Sequence, residues 1–422
     1  MSPIGRRGFL AASALAAPLL SASQAKADPQ EADHHREKIT PGADQLAAQG
    51  WRSLAGRKVG VLSNPTGALK DHTHIVDSMV AAGVAPVAVF GPEHGFRGTA
   101  QAGGSEGDFL DPRTHIPVYD AFGASADKLA GMFTKAGVDT VLFDIADVGA
   151  RFYTFVWSMY TAMRAAVLTG AAFTVLDRPN PVGGAPRGPM LDPAFASGVG
   201  LKPIVQQHGM TVGELARFFD AEFLPADTGK RLSTLDIVKL RGWRRDELFE
   251  ETGLPWRMPS PNMPTPSTAL VYPGTCMFEG TLLSEGRGTT RPFEIIGAPD
   301  IDWRWAERLN EAGLPGVRFR EIYFAPTFSK HVNKVCGGVQ LHLTGEREFE
   351  AIRTAVTMII TAKQLYPNVF GWRPDNWIDK LTGSARLRQL VDAGAGADDV
   401  VGAWQQELAA FRRQREQYLL YR

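Results

Sequence analysis

The chain is predicted to be an α/β protein: a Rossmann-like, doubly wound, mostly parallel sheet with a second, smaller α+β C-terminal domain. Three observations carry this. Short apolar runs recur at residues 58–63, 87–90, 140–143 and 173–176 without polar alternation, which marks strands covered on both faces. Helix-length segments at residues 73–82, 126–136 and 156–168 separate them, and that alternation calls for parallel strands joined by crossover helices. From about residue 298 the pattern changes to α+β, with helices expected over 303–312, 346–366 and 398–418 and strands over 317–324 and 338–343.

Taken in order, the N-terminus stands apart from the fold. Arg6-Arg7-Gly8-Phe9-Leu10 precedes a mildly apolar run, and Ala25-Lys26-Ala27 offers a small-residue cleavage site. Residues 1–27 therefore resemble a twin-arginine export signal. A periplasmic mature protein, delivered by the twin-arginine export machinery, is the expectation. Residues 28–42 read as a flexible linker, 43–297 as the Rossmann-like catalytic domain, and 298–422 as the smaller domain closing a cleft over it.

Within the first domain, each apolar run ends in a polar loop. The first ends in Asn64-Pro65-Thr66-Gly67, and the second in Gly91-Pro92-Glu93-His94-Gly95-Phe96-Arg97-Gly98. The third runs into Asp144-Ile145-Ala146-Asp147 and then Arg151-Phe152-Tyr153, and the fourth into Asp177-Arg178-Pro179-Asn180-Pro181. Thr211 with Glu214 three residues on forms a capping-box pattern, which gives Glu214 a structural role. Residues 235–240 alternate and should add a strand. Residues 259–266 are too proline-rich for a helix or central strand and read as an ordered loop or connection. Residues 272–294 form a second polar, glycine-rich block carrying Glu279, Glu285, Arg287, Arg291 and Glu294.

Composition excludes several classes. The chain has 422 residues, 44% of them apolar, enough for two domains. Lysine plus arginine and aspartate plus glutamate balance at 45 each, so no net field favours nucleic acid or a membrane surface. No stretch after the N-terminus is long and apolar enough to span a bilayer. Cys276 and Cys336 are two cysteines without zinc-ligand spacing, and they read as small buried hydrophobes.

In open α/β sheets, ligands bind at the carboxyl ends of the strands, which is where these loops gather. No dinucleotide or phosphate-loop glycine pattern is present, so no cofactor is expected. No metal is expected either: His72 and His74 have unsuitable spacing, and Asp147 can serve to cap a turn. A nucleophilic serine elbow is also missing.

Carboxylate chemistry remains. Cleavage of a glycosidic bond needs one carboxylic acid to protonate the leaving oxygen and a second group to assist attack. Glu93, held at a strand end, is the candidate acid. His94 would orient it or touch substrate, with a core histidine as the alternative. Asp144, Asp147, Glu279, Glu285 and Glu294 are candidates for the second group, and the sequence does not choose among them. Arg97, Arg151, Arg287 and Arg291 sit in the same loops and suit an anionic ligand, unless they pair with neighbouring acids. Tyr153, with Phe152 and Phe96, offers a platform for a sugar ring, and Asn64 completes the binding candidates.

Together these motifs resemble the exo-β-N-acetylmuramidase family of glycoside hydrolases, long described only as a domain of unknown function. The resemblance rests on the run from Gly91 to Gly98, on Phe143 to Thr154, on Leu176 to Pro181, and on His208-Gly209-Met210-Thr211. Pro259-Ser260-Pro261-Asn262-Met263-Pro264, the block from Phe278 to Phe293, Phe411-Arg412 and Tyr418-Leu419-Leu420-Tyr421 extend it over the mature chain. The family implies an active site between a Rossmann-like and a smaller domain. It further implies release of N-acetylmuramic acid from the non-reducing ends of peptidoglycan-derived glycans, with the glutamate matching Glu93 as catalytic residue. The lactyl carboxylate of muramic acid would give the arginines their partner. Ala146 stands where the family pattern favours glutamine. Two other readings compete: a periplasmic sugar- or muropeptide-binding protein without chemistry, and an amidase acting on the stem peptide.

Overall fold

Nine strands precede residue 240, and seven of them form one sheet in the computed structural model, which describes residues 37–422. The export-signal segment 1–27 and most of the linker lie outside the described residues; residues 38–422 form one compact unit. The strands are β1 (Val59–Ser63), β2 (Ala88–Gly91), β3 (Phe109–Leu110), β4 (Pro117–Asp120), β5 (Thr140–Asp144), β6 (Ala172–Leu176), β7 (Arg187–Met190), β8 (Val205–Gln207) and β9 (Leu235–Val238). Their order is β3-β4-β2-β1-β5-β6-β9, parallel except for the short edge strand β3. β7 and β8 form a separate antiparallel pair.

Every residue of β1, β2 and β5 is buried, as their unbroken apolar sequence demands. The strand order reverses between β1 and β5, so the loops leaving them splay apart and open a crevice. Helix Phe155–Thr169 follows directly from the β5 loop and buries ten of its 15 residues. Ser125 caps helix Ala126–Ala136, and the Thr211–Glu214 capping box forms as expected.

His74 caps helix Ile75–Ala81. Its Nδ1 accepts from the Val76 N–H at 3.2 Å, and its Nε2 lies 3.0 Å from the Asn64 carbonyl, to which it donates. Burial pushes this imidazole down to about 4, because the charged form would lose its hydration. The unfolded chain protonates at its ordinary value near 6.5, the folded one only near 4. Stability from this group is therefore complete above the higher value and lost as pH falls toward the lower one. Denaturant unfolding at pH 7 and pH 5 should show a wild-type loss about 2 kcal/mol larger than that of His74→Asn, which keeps a cap but does not titrate.

The second sheet is antiparallel, in the order β10-β12-β11, with β10 (Ile295–Ala298), β11 (Val317–Phe324) and β12 (Cys336–Leu343). Helix Arg304–Glu311 packs on it, and helix Ala351–Leu365 packs on that helix, locked by Trp305 donating to Thr361 Oγ1 at 3.0 Å. Cys276 and Cys336 are both free and buried.

Two expectations need correction. The single helix over 398–418 is instead Ala397–Gly402 and Gln405–Arg415, followed by a 3-10 turn at Glu416–Tyr418. Gly402 is a weak helix former, and Trp404 leaves helical geometry as its side chain is buried. The segment after the proline-rich loop is a helix, Pro266–Thr275, rather than part of a loop. Thr265 caps it and Pro266 occupies the first turn, where no N–H is missed. A Cβ at Gly274 would lie 1.9 Å from the Ala351 carbonyl oxygen, so only glycine lets this helix meet Ala351–Leu365.

Candidate active site

Glu93 leaves β2 through Gly91 and Pro92 and enters a cleft of about 490 Å³. The cleft wall combines the loops after β2 and β5, residues 260–293, and segments around 328–330 and 373–381. The Glu93 carboxylate is held on both oxygens. The Thr154 hydroxyl donates to Oε2 at 2.7 Å, and the Gly103 N–H donates to Oε1 at 2.7 Å. Thr154 immediately precedes helix Phe155–Thr169. A hydroxyl can donate to a carboxylate or accept from a carboxylic acid, so Thr154 can hold Glu93 in either protonation state.

His94 is buried, with a left-handed φ of 71°. Its Nδ1 lies 3.0 Å from the Ala100 carbonyl and its backbone N–H donates to Gly104 at 3.0 Å. It thus pins the loop that supplies the Gly103 donor while also lining the cleft. Gly95 is required in the same loop: at φ 85°, a Cβ would meet the Glu106 carboxyl carbon at 2.2 Å.

A charged network lines the same cleft. Arg287 donates to Glu279 at 2.7 Å and its Nε lies 3.4 Å from Glu285. Lys330 contacts Glu285 at 2.9 Å and spends its remaining donors on the Phe278 and Leu283 carbonyls. Burial pushes the Glu279 carboxyl up; Arg287 opposes the shift and Glu285 adds to it. An aromatic wall joins the elements: Tyr153 packs edge-on against Phe155 and Tyr272, and Tyr272 against Phe293.

Of the sequence candidates, Glu93, His94, Phe152, Tyr153, Glu279, Glu285 and Arg287 come together on this cleft. The others are engaged elsewhere. Arg97 is held by Asp111 at 2.8 Å and Asp77 at 3.0 Å. Asp144 is fully buried against Arg178. Asp147 accepts from the Gly149 N–H and lies 3.0 Å from His208 Nε2. Arg151 is fully buried and donates to the carbonyls of Pro189, Ile204 and Leu381, and burial pushes its guanidinium down to about 9. Asn64 closes a turn by accepting from Thr66 N–H and hydroxyl. Arg291 pairs with Glu294 at 3.1 Å. Ala146 donates its N–H to Thr66 and is not part of the cleft wall.

Sequence reasoning missed Thr154, Asn262, Lys330, Arg373 and Trp377 as cleft residues. Thr154 and Asn262 lie inside the motifs, so their signal was position. Nothing local marks the other three.

The chain matches the family description "Exo-beta-N-acetylmuramidase NamZ, N-terminal" over residues 59–267 and its C-terminal counterpart over residues 270–421. It is 42% identical over 406 residues to the peptidoglycan β-N-acetylmuramidase NamZ of Bacillus subtilis (strain 168), covering 95% of this chain and 96% of that protein. Two crystal structures of DUF1343-family proteins from Bacteroides fragilis NCTC 9343 are similar, each 30% identical and each covering 92% of this chain. Their TM-scores are 0.82 and 0.71, and 100% and 99% of their own chains are covered. With both halves of the sequence and the α/β architecture matched, the chain belongs to the exo-β-N-acetylmuramidase NamZ family and is a glycosidase.

Proposed function

We propose that this glycosidase removes N-acetylmuramic acid from the non-reducing ends of peptidoglycan fragments, with Glu93 as general acid and base. The observation that carries this reading is Glu93 itself, held by Thr154 and Gly103 on one side of a cleft in which Glu279, Glu285, Arg287 and Lys330 pair with one another. Glu93 protonates the glycosidic oxygen as the bond to the anomeric carbon breaks, so the leaving sugar departs as a neutral alcohol. It then takes the proton from the water that completes hydrolysis. Glu279 and Glu285 are the candidates for the second group.

The lactyl carboxylate is assigned to Arg373. Arg287 and Lys330 are committed to Glu279 and Glu285, whereas Arg373 lines the cleft, stacks 5.3 Å from the Trp377 ring, and is held by the exposed Asp375 and, at 3.5 Å, the Glu279 carbonyl. Arg373→Ala should raise KM for a muramide roughly ten- to a hundredfold with kcat little changed, the range for losing a charge-assisted hydrogen bond. Steady-state kinetics checks this.

The direct test of function is release of 4-nitrophenol from a 4-nitrophenyl β-N-acetylmuramide by the purified mature protein, with the N-acetylglucosaminide as control. Release from the muramide alone supports the reading. Silence on both substrates, with binding of a muramic acid disaccharide, favours a binding protein instead. Export to the periplasm by the twin-arginine route is part of the same proposal. Cell fractionation of an Arg6→Lys, Arg7→Lys variant tests it: retention in the cytoplasm is expected, and unchanged export contradicts it.

A further inference from the structure

The cleft holds polar groups that the protein leaves unsatisfied. Asn262 Nδ2 is buried with no hydrogen-bond partner among the described residues, and the buried Tyr153 hydroxyl has only the Ser260 side chain near it, outside good hydrogen-bond geometry. Both side chains line the cavity that contains Glu93. They are more than nine-tenths buried, at 8% and 5% exposure. Buried donors without partners are rare because they forfeit water without replacement. Two in one cavity therefore point to a ligand atom that completes them.

The chemistry of that atom follows from its surroundings. An amide N–H donates only, and the Tyr153 phenol, pushed far above its ordinary value by burial, stays a neutral O–H. A partner shared with Asn262 must accept, and the phenol O–H can donate to it as well. The charges acting on Tyr153 are Asp147, Glu93 and Arg287, and Arg287 is already spent on Glu279 and Glu285. Two acids against one neutralised cation disfavour an anion, so the acceptor is neutral, as a carbonyl is.

Position narrows it further. Tyr153 directly precedes Thr154, whose hydroxyl grips Glu93 at 2.7 Å. If Glu93 acts at the glycosidic oxygen, groups beside it meet the carbon next to the anomeric centre. In an N-acetylhexosamine that carbon bears the acetamido group.

We infer that Tyr153 and Asn262 form the subsite that reads the 2-acetamido carbonyl of the sugar cleaved. This deepens the function proposed above and rests on it. A site built to hydrogen-bond a substrate group rejects analogues lacking it, because its own buried donors are then left bare. Specificity for the acetylated sugar thus comes from Tyr153 and Asn262, and specificity for the lactyl group from the cationic side.

The test uses two ligands of equal charge, N-acetylmuramic acid and 3-O-lactylglucose, titrated by calorimetry into wild type, Asn262→Leu and Tyr153→Phe. Wild type should prefer the acetylated sugar roughly ten- to a hundredfold. Each variant should lose most of that preference by weakening toward N-acetylmuramic acid while its affinity for 3-O-lactylglucose holds. Tyr153→Phe keeps the ring and answers the question if Asn262→Leu folds poorly. Equal weakening toward both ligands, or a preference that survives in both variants, overturns the assignment, as does a wild type without preference. If wild type prefers the acetylated sugar but releases nothing from the nitrophenyl muramide, the subsite stands and the muramidase reading falls.

Discussion

Glu93→Gln is expected to lower kcat/KM on a muramic acid–glucosamine disaccharide by roughly 10³- to 10⁴-fold, near the upper range for removal of a general acid. Glutamine keeps the size of the side chain and can still accept from Thr154, so the urea unfolding midpoint should not move. Thr154→Val should act through Glu93: it removes the hydroxyl that holds Oε2 and should cost roughly tenfold in kcat, with KM held and Thr154→Ser restoring most of the rate. A Glu93→Gln enzyme with more than a tenth of wild-type activity would remove Glu93 from the chemistry.

Asp144→Asn is expected to destabilise the fold by about 3–5 kcal/mol, the cost of stranding one partner of a buried ion pair. Asp144 is fully buried at the end of β5, and Arg178 meets both its oxygens, with Arg178 Nη2 to Oδ2 at 2.8 Å. Arg178 reaches on to the Ala68 carbonyl at 3.2 Å, tying the loop after β1 to the one after β6. Removing the carboxylate charge leaves a buried guanidinium with only the weaker field of Asp44 to offset it. Urea denaturation measures the loss; a change below about 1 kcal/mol would mean that water or a neighbour replaces the pair.

Asp144 also shows where sequence reading stops. Strands β1, β2, β5 and β6 were legible because doubly covered strands must be apolar throughout, and helix Ala126–Ala136 because a segment of helix length separates two such runs. Glu93 was legible because a strand, a proline and two glycines fix its backbone. An arginine or aspartate in a polar loop carries no such mark. Arg97 and Arg151 lie in the same kind of loop as Arg287, yet Arg97 is spent on Asp77 and Asp111, Arg151 on three carbonyls, and only Arg287 reaches the cleft. Which partner an arginine finds is decided by segments far away in sequence, as with Arg151 and Leu381. For the same reason Lys330, Arg373 and Trp377 gave no signal: the tertiary fold brings them to a cleft whose acid sits more than two hundred residues earlier. Helix Pro266–Thr275 was hidden by its prolines: Pro266 sits in the first turn, which tolerates it, and Pro273 lies inside the helix, where proline normally argues against one.

Glu93 donates the proton to the leaving group in the proposed reaction, and leaving-group dependence tests that most directly. A 4-nitrophenolate departs with little protonation, whereas a sugar hydroxyl requires it. Wild-type and Glu93→Gln rates should be compared on 4-nitrophenyl β-N-acetylmuramide and on the muramic acid–glucosamine disaccharide. The loss on the disaccharide should be at least tenfold greater than on the nitrophenyl substrate. Equal losses on both would contradict it and assign Glu93 a role other than proton delivery.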